Sequence, residues 1–142
     1  MGSEMCIRDR LTGGQIVRRD NSFNLVWRKR LGDPDSPFTG LGDMIFSPDS
    51  CLLVTGQNVD SSMTFNAARI LKIGLDGKVI WELRDTGYAF PDGQSLNFME
   101  GIASSSCSSI YAVGYTYKSA GFYEGLLLKV SGDGCVDTLC TT

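Results

Sequence analysis

The feature that most constrains this chain is that it repeats itself. Leu71-Lys72-Ile73-Gly74-Leu75-Asp76-Gly77 returns 57 residues later as Leu128-Lys129-Val130-Ser131-Gly132-Asp133-Gly134. Upstream, Leu52-Leu53-Val54-Thr55-Gly56 returns as Ile110-Tyr111-Ala112-Val113-Gly114 after 58 residues, and Trp27 and Trp81 stand 54 apart. Three landmarks share one period, and a period of this size marks a unit that buries its hydrophobic face against its neighbours.

Within a unit the pattern reads as strands. Val79, Trp81 and Leu83 alternate with Lys78, Ile80, Glu82 and Arg84, the period of two expected of a half-buried strand. Asp76-Gly77 before it signals a two-residue type I′ turn, so 70–75 and 78–84 are expected to form an antiparallel hairpin. The runs at 51–55 and 110–113 are almost continuously apolar, as for inner strands buried on both faces. Met44 to Phe46 and Gly101 to Ala103 supply a strand ahead of each. Four short strands per unit and no helical periodicity predict an all-β chain: an open, partial β-propeller of about two and a half four-stranded antiparallel blades. The units fall at about 14–31, 42–84 and 98–139. A β-sandwich is the alternative fold, but it leaves the repeat unexplained.

Lys72-x3-Asp76-Gly77-x3-Trp81 resembles the repeat signature of quinoprotein-like and WD40-like propellers, and 14–142 resembles secreted bacterial propeller repeats. The resemblance implies an extracellular, periplasmic or cell-surface parent whose remaining blades are partners of this piece. The third unit carries Thr138 where the signature has Trp, so only the fold is carried over and no cofactor is expected. Met5-Cys6-Ile7-Arg8-Asp9-Arg10 resembles a translated sequencing adapter. Residues 1–10 are accordingly read as a non-native leader, and 11–142 as the propeller fragment.

Composition narrows the chemistry. The chain has no histidine, so no Ser-His or Cys-His nucleophile can be built from it and zinc through His is excluded. A net charge of -3 argues against nucleic acid as the main partner. No apolar run approaches the ~18 residues of a membrane span. With Cys6 set aside, four cysteines remain (Cys51, Cys107, Cys135, Cys140), compatible either with two disulfides in an oxidising compartment or with four buried thiols. Cys135 and Cys140 are the candidate bridge. A straight strand would hold them about 16 Å apart at ~3.3 Å per residue, so that bridge requires a turn.

Each site residue has a structural reading beside its functional one. Trp27 and Trp81 could stack on a ligand, but a fixed place in the repeat points to packing between blades. Asp76-Gly77 and Asp133-Gly134 are read as turns, since a calcium loop needs carboxylates at alternating spacing. Arg18, Arg19, Arg28, Lys29 and Arg30 crowd one hairpin, read as a solvated strand pair. The loops at 32–42 and 85–97 carry Phe38, Tyr88 and Phe90, the candidates for binding a glycan or protein. The expected function is a non-catalytic binding scaffold. The alternative is a fragment of a propeller enzyme, a quinoprotein-like dehydrogenase or a lyase, with its catalytic residues in missing blades.

Overall fold

A computed structural model describes residues 5–8, 14–31, 38–59, 65–85, 95–106, 108–118 and 122–134. These residues form ten strands and no helix: β1 (Met5–Arg8), β2 (Gln15–Arg19), β3 (Leu25–Arg30), β4 (Phe38–Phe46), β5 (Leu52–Val59), β6 (Phe65–Ile73), β7 (Val79–Asp85), β8 (Ser95–Ser106), β9 (Ser109–Lys118) and β10 (Phe122–Val130). Among the described residues the fold is all-β, and no sheet closes on itself into a barrel or propeller.

The strands group into three antiparallel ribbons in chain order: β2–β3, β4–β5–β6–β7 and β8–β9–β10. The 5–8 segment, read above as a leader, adds to the first ribbon as β1, pairing with β2. The second and third ribbons are joined by a short parallel bridge, Phe65–Asn66 of β6 against Ser95–Leu96 of β8. The bridge lies beyond the register in which β7 occupies that edge of β6, so β8 takes up backbone groups that β7 leaves.

The middle ribbon is covered on both sides, because its strands carry apolar side chains at odd and even positions alike. Leu52, Val54, Leu71 and Ile73 pack with Ile16 and Leu31 of the first ribbon. Leu53, Ala68 and Ile70 pack on the other side with Met99, Ile102, Ile110, Ala112 and Val130 of the third. Each interface is an apolar core, and burial of apolar surface stabilises by about 25 cal/mol per Å².

Several expectations are corrected. The Asp76-Gly77 turn is not type I′: of the two residues only Gly77 has positive φ, at 83°. Gly74 and Lys78 close a three-residue loop, with Gly74 N–H donating to Lys78 O and Gly77 N–H to Gly74 O, both at 2.9 Å. Asp76 Oδ1 also accepts from Lys78 N–H, so the aspartate supports an ordinary turn and leaves the left-handed position to glycine. The 110–113 run is not buried on both faces. Ile110 and Ala112 face the middle ribbon, while Tyr111 and Val113 face away from it and are exposed. Phe38 opens β4, its backbone paired with Val59, and does not lie in a loop.

The disulfide expectation is also overturned. No disulfide is found among the described residues, and Cys51 is a free, half-buried thiol. It is held instead by the tight Ser47–Cys51 turn, its Sγ donating to Asp49 O at 3.9 Å. Cys107, Cys135, Cys140, Tyr88 and Phe90 lie outside the described residues. No helix among the described residues is long and apolar enough to cross a membrane.

Candidate functional site

The side chains that the repeat singles out meet at the boundaries between ribbons. The Trp27 indole on β3 reaches across the first boundary, its Nε1–H donating to Leu75 O at 2.8 Å. Its ring lies over Gly77, where a β-carbon would stand 3.1 to 3.4 Å from the ring atoms. Trp81 on β7 does the same across the second boundary. Its Nε1–H donates to Gly132 O at 2.9 Å, and its ring lies over Gly134, where a β-carbon would stand 2.7 to 3.0 Å away. Trp27, Trp81, Gly77 and Gly134 are thus brought together as two like pairs, with Asp76 and Asp133 in the receiving turns. Glycine is needed there twice over, for its positive φ and for the space the ring occupies.

The same turn occurs in the first ribbon without a tryptophan. Phe23 N–H donates to Asp20 O at 2.9 Å, and Asp20 Oδ1 accepts from Ser22 and Asn24 N–H. The bond from the Asn24 side-chain amide to Asp20 Oδ2 at 3.2 Å, followed by that from the Asn24 N–H, holds the Asp20 carboxyl below its usual range. The left-handed position is Phe23, at φ 63°, exposed and with its side chain where the other two turns seat an indole ring.

A second device crosses the second boundary. Strand β4 bulges between Leu41 and Met44. There the Asp43 carboxylate accepts from Met44 N–H at 2.8 Å and from Ile102 N–H of β8 at 3.2 Å. Strand β8 has its own bulge between Met99 and Gly101, at Glu100. Sequence reasoning missed Asp43, and the repeat carried no signal for it, since by register the counterpart of Asp43 is Gly101 and that of Glu100 is Gly42.

Charged side chains elsewhere are mostly consumed by packing. Lys72, buried on β6, donates to Asp49 Oδ2 at 2.5 Å, and Ser47 Oγ donates to the other oxygen. The Lys72 bond first, and the Ser47 bond after it, lower the Asp49 carboxyl to about 2. Burial, reinforced by Asp49, pushes the Cys51 thiol up, away from nucleophilic use. Arg69, buried on the same strand, donates from Nε and Nη2 to Glu82 Oε1 at 2.8 and 2.7 Å, while its buried Nη1 has no partner. Among the described residues no three His, Cys, Asp or Glu side chains converge as a metal site requires.

The outer face of the third ribbon is aromatic. Phe98 stacks on Tyr115 at a centroid distance of 4.8 Å, and Tyr123 meets Tyr115 and Tyr117 edge-on at 5.5 and 5.1 Å. Burial, with the nearby Glu100 charge, raises the Tyr115 hydroxyl. No protein-family model matches the chain, and no curated protein matches it in sequence.

Proposed function

We propose that this chain is a section of a β-propeller-type repeat protein that works as a binding scaffold, with blade-like units stacked to present their connecting loops. The observation that carries the reading is the recurring latch, in which an indole from one unit donates to a carbonyl in the hairpin turn of the next and rests on its left-handed glycine. A latch repeated with the sequence period fixes the relation between units and leaves the loops free for recognition. The extracytoplasmic address rests on the resemblance to secreted bacterial repeats, and no longer on disulfides. The scaffold reading is preferred to an enzyme because the ionisable side chains between the units are engaged in ion pairs and backbone caps.

Glycan and peptide arrays probed with the chain and with its Tyr88→Ala/Phe90→Ala variant test the reading. It expects binding that the variant loses at unchanged melting temperature. Binding that survives the variant, or turnover of the ligand, contradicts it.

A further inference from the structure

We infer that the boundary between the first and second ribbons is a binding site for a single oxyanion, a phosphate or a carboxylate, held by Arg69 with Lys29 and Arg84 beside it. The inference goes beyond the loop-face reading and uses the repeat only to match positions.

Arg69 carries the argument. On β6 it stands two residues from Leu71 and four from Ile73, which pack against the first ribbon, so its side chain is turned to that ribbon too. That side chain is 5% exposed. Its Nε and Nη2 share one oxygen of Glu82, and Arg84 Nε donates to the same oxygen at 2.6 Å. Arg69 Nη1 is buried and has no partner. Burying a guanidinium N–H without an acceptor is unfavourable. An oxyanion supplies both the acceptor and the opposite charge, in the geometry that arginine recognises best.

The second boundary shows what packing alone selects at these positions. By register, Arg69 opposite Gly56 becomes Leu126 opposite Gly114, and Lys29 opposite Ile16 becomes Leu83 opposite Ile70. Leu83 and Leu126 both pack on the core shared by the second and third ribbons. At the first boundary the same two positions are cations. Lys29 stands between Trp27 and Leu31 on β3, on the face that both turn to the second ribbon, and is half-buried. Lys29, Arg69 and Arg84 against Glu82 leave an excess of positive charge there. Arg18, on the same face, is engaged with Leu75 O, and Asp76 at the foot of the boundary pairs with Lys78. Arg28 and Arg30 point the other way on β3 and are exposed. The anion enters from the β7 edge, where the Arg84 side chain is 53% exposed, and reaching Arg69 Nη1 requires the ribbons to part locally.

Titration of the full chain with sodium phosphate, and separately with sodium acetate, tests the site, with ionic strength held constant by sodium chloride. The readout is the arginine Nε–H signals in 15N–1H spectra, the Arg69 signal being assigned by its absence from Arg69→Leu. A saturable shift of that signal is expected, and the titrant that saturates it at the lower concentration identifies the oxyanion as phosphate or carboxylate. Lys29→Leu is expected to weaken the response several-fold, the loss of one partly exposed charge. Arg69→Leu is expected to lose the rise in melting temperature that the titrant gives the wild type beyond chloride. Both substitutions install the residue that the second boundary carries, so both variants are expected to fold, and the wild-type titration decides the matter without them. Absence of a saturable Arg69 shift with either titrant overturns the proposal. So does an equal response in wild type and Lys29→Leu, or a melting-temperature rise that Arg69→Leu retains.

Discussion

Trp81 and Gly134 should behave as one energetic unit across the boundary between the second and third ribbons. Trp81→Ala removes a half-buried indole that packs against the inter-ribbon core and donates to Gly132 O. Truncating a fully buried Trp costs about 3 to 5 kcal/mol, so about 3 kcal/mol is expected here, a fall in melting temperature on the order of 10 °C for a chain of this size. Gly134→Ala acts from the other side. Its new β-carbon would lie 2.7 to 3.0 Å from the ring, and an L side chain at φ 90° adds about 1 to 2 kcal/mol of backbone cost. Overpacking contributes about 1 to 3 kcal/mol more. In the Trp81→Ala background the ring is gone and only the backbone cost remains, so the double mutant should be more stable than additivity predicts by the overpacking contribution, about 1 to 3 kcal/mol. Urea titration of the four proteins at constant pH gives the cycle directly. Costs that add to within about 0.5 kcal/mol would show that the indole and the turn do not touch.

Three further outcomes are expected. Asp49 has its folded-state pKa lowered to about 2 by Lys72 and Ser47, so the stability it lends is present above the unfolded value near 4 and is lost as pH falls from about 4 to about 2. Solvent screening at this partly exposed pair keeps that contribution to about 1 kcal/mol, and Asp49→Asn should flatten acid melting curves over that window. Asp43→Ala should speed exchange of the Ile102 amide and cost about 1 to 3 kcal/mol, since it strands a part-buried donor; exchange at the wild-type rate would refute the cap. Thr116→Val removes the donor to Asn97 Oδ1 at 2.7 Å, and chemical denaturation should show about 1 to 2 kcal/mol of destabilisation because both residues are buried.

What the sequence made legible was whatever depends on spacing. The alternation around Trp81 places β7, and the shared period locates both tryptophans and both receiving turns. Long-range hydrogen bonds left weaker traces. Asp43 sits in a bulge, which interrupts the alternation that would have assigned it a face. The Ser104-Ser105-Ser106 stretch has no apolar pattern, so the end of β8 was invisible although it forms strand. Lys72 looked like a repeat marker, yet its ammonium is buried because the Ser47–Ser50 turn brings Asp49 to it from 23 residues away. The burial of the 110–113 run was overestimated because composition cannot report whether a neighbour is present on the far side. Tyr111 and Val113 are apolar enough for an inner strand, but no described element lies over them.

The most direct test of the stacking account is a 15N-edited NOESY spectrum of the chain, read at the indole Nε1–H signals. The chain contains only two tryptophans, so two such signals are expected, and single substitution of each assigns them. The account predicts that both exchange slowly with water, that the Trp27 signal has a cross-peak to the Gly77 α-protons, and that the Trp81 signal has one to the Gly134 α-protons. Fast-exchanging indole protons without glycine cross-peaks would contradict it, because the units would then not be latched through their hairpin turns.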